Sequence, residues 1–298
     1  MSFIVNPPIF LETPELCAEL LPAGRCYRGA RYDWSGIISQ VTLRNKHTFF
    51  SREVQADGSF GMGGRGMAGV FVWDSDALYD AAGIAEPFPM LGIGLVKKED
   101  AQPFQFARPY EVISPYPRET TCGDGWCRIE TSPLPCRGIA LRETKELSVS
   151  GPTLTIRMLL ANCGENPIHA AEFNHNFFAF DGCPIGNDYQ LTFPFPLSAR
   201  FHHGTAIVGC RTVRPHTFDC ELQSTSFWID GYDGQQTLSL RLENQRTGTG
   251  VLIEHDFPPC RFYIWSNSTA FCPEVFCKID LLPHQCIEYQ RRYTFYEL

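Results

Sequence analysis

Along this chain, apolar and polar residues alternate in short runs broken by glycine, proline and dipeptides such as Asp-Gly. A period of two predicts strands. Residues 36–44 are a clear case: Ile37, Val41 and Leu43 fall on one side, Gln40, Thr42 and Arg44 on the other. The Asn45-Lys46 turn and the return over 48–50 predict a hairpin. The same reading predicts strands over 25–35, 104–114, 126–131, 136–150 and 153–162. Others follow over 189–195, 205–213, 225–230, 237–243, 250–255, 261–266, 275–281 and 286–295. Two short helices are expected. One is opened by Thr13-Pro14-Glu15 and closed before Pro22, the other covers 76–86. No stretch reads as a long amphipathic helix, an internal repeat or a linker. Many strands without βαβ alternation predict an all-β, antiparallel sandwich or closed sheet, and at this length the sheets must be broad and curved. A curved sheet has a concave face, which is where a ligand would sit.

Composition narrows the partners. The 298 residues can bury a large core, and a single domain over 1–298 is expected. Net charge is −8 with no basic block, which argues against nucleic acid and anionic membranes. The start MSFIVNPPIF lacks a basic n-region and a long apolar run, so no signal peptide is expected there. No stretch approaches the roughly 20 apolar residues of a membrane span. A cytoplasmic location follows as the expectation, and the 13 cysteines are then free thiols packed as small hydrophobes. Cys122 and Cys127, like Cys272 and Cys277, are spaced C-x4-C, unlike the closer pairs of zinc sites, so no metal is expected.

The candidate chemistry gathers in 171–185, AEFNHNFFAFDGCPI. Alternation puts Phe173, His175 and Phe177 on one face and Asn174, Asn176 and Phe178 on the other. An imidazole among aromatic rings suits a neutral ring-shaped ligand, or is a core histidine. His47, His202 and His203 are alternatives, the latter two expected in a loop. Residues 57–69 are glycine-rich without the lysine and hydroxyl of a phosphate-binding loop; they form a plain loop, or one that folds over a site and offers Arg65. Arg31 and Asp33, two apart, can pair structurally or hold vicinal hydroxyls. In 136–150, Glu143 and Lys145 share a face with Ile139, Leu141, Leu147 and Val149. The preferred reading is a buried or rim ion pair; the alternative is that Lys145 lines a ligand groove.

Three stretches together resemble one superfamily, the galactose mutarotase-like or aldose 1-epimerase-like proteins. They are GRCYRGARYDWSGII with the hairpin ending KHTFF, EFNHNFFAFDGCPIGNDYQLTFPF, and RFYIWSNSTAFCPEVFCKIDLLPHQCIEYQRRYTFY. EPFPMLGIGLVKKED looks like an uncharacterised bacterial branch of it. The resemblance implies a large antiparallel β-supersandwich with the sugar on its concave face. It also implies a histidine as general acid and a late glutamate as general base. His175 in NHNFF and Glu274 in CPEVF match those positions. The chain lacks the Asn-x-Leu-His-Gly-Gly-like stretch of well-characterised mutarotases. Its counterpart, GGRGMAGVF, looks closer to the arginine-glycine stretch of the hexose-6-phosphate epimerase branch, and Arg65 hints at an anionic substituent.

The function implied is anomer interconversion of a free or phosphorylated sugar without metal or organic cofactor. His175 and Glu274 would act from opposite sides of the ring. Apolar neighbours Phe173, Phe177, Phe271 and Phe276 would raise the basicity of the glutamate. Arg31 and Asp33, with Asn174 and Asn176 only if a bulge turned them, would contact hydroxyls, Arg65 and Lys145 are further substrate-binding candidates, and Trp34 or Trp265 would offer an aromatic platform. A non-catalytic carbohydrate-binding protein is the alternative, as is a lyase or hydrolase acting on sugar chains, in which Lys145 with Arg142 would serve a uronate. The partner expected is a small-molecule carbohydrate, and the protein a monomer or homodimer.

Overall fold

The computed structural model describes residues 7–53, 63–219, 223–234 and 238–298. They form two ten-stranded antiparallel sheets and a smaller three-stranded one. Across the first sheet run Ile9–Glu12, Leu16–Leu20, Ile38–Leu43, Met67–Trp73, Ile168–Asn176, Phe271–Leu281, Pro259–Asn267, Ser224–Asp230 and Ser198–His203, with His47–Thr48 paired to Ile38–Leu43. The centre of the second is Thr249–His255, Cys286–Glu297, Thr153–Asn162 and Leu141–Ser150.

Alternation decides what each face buries. In Phe271–Leu281, Phe271, Val275, Cys277, Ile279 and Leu281 join the core between the two large sheets, where Leu147, Ile156, Ile253 and Tyr293 meet them. Cys272 and Phe276 belong instead to a second apolar cluster on the outer face of the first sheet. That cluster is completed by Phe173 and Phe177, by Tyr27, Tyr32 and Trp34 from the loop over 21–37, and by Phe88, Met90 and Val96 from the three-stranded sheet. The first sheet is therefore covered on both faces, and its outer cover leaves room for a cavity.

Several expected elements change. The helix after Thr13 is a strand, Leu16–Leu20. The Thr13 hydroxyl does accept bonds from the Glu15 and Leu16 amides, at 3.2 and 2.9 Å, as an N-cap would. It also donates to the Gly151 carbonyl at 2.8 Å, and Leu16, Ala18 and Leu20 then alternate into the core. The hydroxyl makes a turn, and tertiary burial overrides the helix signal. The helix over 76–86 shrinks to Ala77–Asp80, and the run over 104–114 is strand only at Val112–Pro115. The run over 25–35 is not a strand but a series of bends. It is tied by the Tyr27 hydroxyl to the Arg31 amide (3.2 Å), and by the Trp34 indole to the Gly29 carbonyl (2.9 Å). His202 and His203 end the strand Ser198–His203 rather than sitting in a loop.

Of the glycine-rich run, 57–62 lies outside the described residues. Gly66 has φ +58° and donates its amide to the Ser51 carbonyl at 2.8 Å, while its own carbonyl accepts the Phe177 amide at 2.8 Å. A Cβ here would collide with the Ile38 carbonyl oxygen. Gly66→Ala should therefore lower stability by at least about 2 kcal/mol, read as a shift in the urea midpoint without a change in slope. An unshifted midpoint would show that the backbone relaxes freely at this corner.

Candidate functional site

The ladder between Ile168–Asn176 and Phe271–Leu281 pairs Glu172 with Cys277, and the bridge Phe178–Phe271 continues the same register. Those pairings put His175 level with Glu274. The next ladder pairs Glu274 with Tyr263, and the next pairs Tyr263 with Trp228. One row across the sheet thus reads His175, Glu274, Tyr263, Trp228, all facing outward. One step along the strands lies a second row of Phe173, Phe276 and Arg261. Arg31 and Phe106 wall the space above, and His202 and Trp265 line it as well. The cavity measures about 460 Å³, room for a small ring-shaped molecule.

His175 Nε2 lies 3.2 Å from Glu274 Oε1. The imidazole stacks on Phe177 (ring centroids 4.3 Å, planes 19° apart) and meets Tyr32 edge-on at 5.9 Å. These contacts fix the ring while its Nδ1 stays buried without a hydrogen-bond partner. Burial, with the Arg31 charge adding to it, pulls the His175 pKa well below the usual imidazole range. Burial pushes the Glu274 carboxyl up to about 8, against the opposing pull of Arg31 and Arg261. These shifts leave the carboxyl protonated and the imidazole neutral at neutral pH, a proton donor beside a proton acceptor.

The structure sorts the other candidates. Arg31 reaches the cavity, with its guanidinium over Tyr32 and Phe106 and 3.9 Å from Glu53. Trp265 lines the cavity too, 5.8 Å from the His175 ring. Asp33 and Lys145 do not. Both are buried outside the lining, and they pair with each other at 2.7 Å. The Ser35 hydroxyl bonds both Asp33 and Glu143 there. Asp33 consequently does not pair with Arg31, and Lys145 cannot act on a ligand from that position, which removes the lysine as a lyase base. Arg65 is exposed and also outside the lining. Asn174 and Asn176 face away from His175, bonding the Tyr293 hydroxyl (3.1 Å) and the Pro273 carbonyl (3.0 Å). Glu274 is a buried strand residue. His47 is held by Asp181 at 2.7 Å and Glu297 at 3.2 Å, remote from the cavity.

Sequence reasoning missed Arg261, Tyr263 and Trp228. The signal was present: in RFYIW, Arg261 and Tyr263 alternate onto the face of Trp265. Among the described residues no cluster of three or more His, Cys, Asp or Glu could hold a metal ion. Twelve described cysteines are free thiols.

No family model and no curated protein matches the sequence. Solved structures do. A protein from Synechocystis sp. PCC 6803 superposes with a TM-score of 0.61 at 13% identity, covering 100% of this chain and 99% of its own. A galactose mutarotase related enzyme from Lactobacillus acidophilus gives 0.57 at 11% identity, covering 97% of each chain. A galactose mutarotase-like protein from Clostridium acetobutylicum gives 0.56 at 11% identity, over 98% of this chain and 95% of its own. Backbone agreement over nearly the full length at so little identity is a statement about architecture. The chain has the all-β galactose mutarotase-like fold.

Proposed function

We propose that the cavity binds a monosaccharide and that His175 and Glu274 interconvert its anomers, the chemistry of an aldose 1-epimerase. The observation that carries this reading is the buried donor–acceptor couple, 3.2 Å between heteroatoms, on the floor of an aromatic cavity. Opening an aldose ring requires loss of the C1 hydroxyl proton and protonation of the ring oxygen. Both oxygens are bonded to C1, so they are close neighbours. Two groups side by side can address them together, and the arrangement across the ring expected from sequence is not needed. One member of the couple takes the hydroxyl proton as the other delivers its own to the ring oxygen. The C1–O5 bond breaks, the aldehyde rotates, and closure on its other face reverses the two transfers. The proton count of the couple is the same before and after. Acid and base assistance typically contribute about 10²–10⁴-fold each, ample for a reaction that already runs in water.

The pH profile follows from proton inventory. Carboxylic acid with neutral imidazole, and carboxylate with imidazolium, hold the same number of protons, so either assignment of acid and base gives the same profile. kcat/KM should be flat through neutrality and fall as pH rises past about 8, where the couple loses its proton. The acid limb should lie well below the ordinary imidazole range. Anomer exchange followed by NMR or polarimetry over a panel of free aldoses, with buffer exchange subtracted, tests both claims. A rate that keeps climbing through about pH 8 would contradict the shared proton. Sugar binding without faster exchange would leave a carbohydrate-binding protein.

A further inference from the structure

The cavity carries more positive charge than anomer exchange of a neutral sugar requires. Arg31 has a carboxylate near it, Glu53 at 3.9 Å. Arg261 is in no ion pair among the described residues, with Glu274 acting on it only at longer range, and its Nε is buried without a hydrogen-bond partner. Its guanidinium lies against Phe276 (4.5 Å from the ring centroid) and Trp228 (5.7 Å), and the residue lines the cavity. With the His175–Glu274 couple holding its one proton, Arg261 stands, among the described residues of the lining, as a cation without an ion-paired carboxylate.

Position matters as much as charge. Arg261 pairs with Phe276, one step of two residues along the strands from the row that contains Glu274 and Tyr263. Two residues of strand span about 6.6 Å, roughly the width of a sugar ring. A pyranose with its C1 and ring oxygen over the His175–Glu274 couple carries its exocyclic carbon on C5, next to that oxygen, and the substituent would reach out past the couple toward Arg261 in the next row.

We propose that Arg261 selects sugars whose exocyclic carbon is a carboxylate, the hexuronates, through a bidentate guanidinium–carboxylate pair. A single guanidinium without an ion-paired carboxylate matches a monoanion in charge and its planar fork matches a carboxylate in shape. A phosphate ester would bring close to two negative charges, and the second cation, Arg31, already has Glu53. The inference rests on the cavity being the sugar site, but not on its being catalytic.

The test is therefore a binding experiment. Trp228 and Trp265 line the cavity and report on occupancy by fluorescence. Glucuronate and galacturonate should bind about 10–100-fold more tightly than glucose and galactose, and Arg261→Gln should abolish that preference. If the glutamine variant does not fold, Arg261→Lys keeps the charge without the planar fork, and an undiminished preference in it would overturn the bidentate assignment. Equal binding of acid and neutral sugar overturns the proposal, as does tighter binding of glucose 6-phosphate than of glucuronate. Uronates that bind tightly but never exchange anomers would support this inference while refuting the enzymatic one.

Discussion

Glu274→Gln should lower anomer exchange by about 10²–10⁴-fold while leaving the protein at least as stable as the wild type. The loss follows because an amide can neither take the hydroxyl proton nor release one to the ring oxygen. The stability gain follows from burial. The folded carboxyl titrates at about 8, above its value of ~4.3 in an unfolded chain. A group whose folded pKa is raised favours folding fully at pH below the unfolded value, and that contribution fades as pH climbs to the folded one. Glutamine does not ionise in either state, so the advantage of the variant should grow from about pH 4 to about 8 and level off beyond. Sugar binding should persist, because Tyr263, Trp228, Arg31 and Arg261 are untouched. Parallel thermal melts and exchange assays across that range check both halves. Equal losses of activity and melting temperature would mark Glu274 as a structural group, and undiminished exchange would take the chemistry elsewhere.

The alternation of apolar and polar residues made much of this legible in advance. The strands Trp126–Thr131 and Thr153–Asn162 occur at the expected bounds, and the faces of Phe173, His175 and Asn174 are as alternation requires. Local signals misled where a side chain does the job of a backbone ladder. RCYRGARYDWS has strand composition, yet the Tyr27 hydroxyl and the Trp34 indole satisfy its backbone and leave it bent. Spacing alone could not tell a ligand-facing charge from a buried one. Arg31 and Asp33 are two apart, but in a bent segment that parity carries no face, and the two side chains part company. Arg261 was overlooked because a charged residue at a strand start usually reads as solvent-facing, and only the neighbouring ladders show it leaning over Phe276.

Lys145→Met should cost about 3–5 kcal/mol of stability, because it leaves buried carboxyls without their cation. Lys145 Nζ lies 2.7 Å from Asp33 Oδ2, and both side chains are enclosed. Burial alone would push the Asp33 pKa up, but Lys145, with Arg118 and the Ser35 hydroxyl, outweighs it and holds the carboxyl below its ordinary value. Glu143 shares the pocket, pushed up to about 8 by burial and by Asp33, with Oε2 lacking a partner. The wild-type cluster thus sets one ionised carboxylate against Lys145, with Arg118 adding a weaker pull. Methionine fills the volume but strands the Asp33 charge, whose pKa in the variant should rise above the unfolded value. The deficit should then be largest near neutrality and shrink as the medium is acidified towards ~4, where the unfolded aspartate also takes up its proton. Adding Asp33→Asn should recover much of the loss, since replacing both charges is far cheaper than removing one. Urea midpoints for the single and double variants decide the matter. The consequence reaches the cavity through the backbone: the Asp33 amide donates to the Gly69 carbonyl at 2.8 Å, two residues after Arg31. A loosened Asp33 should therefore weaken sugar binding without altering the His175–Glu274 couple, raising KM more than it lowers kcat. A Lys145→Met protein as stable as wild type, yet blind to sugar, would instead return Lys145 to the ligand.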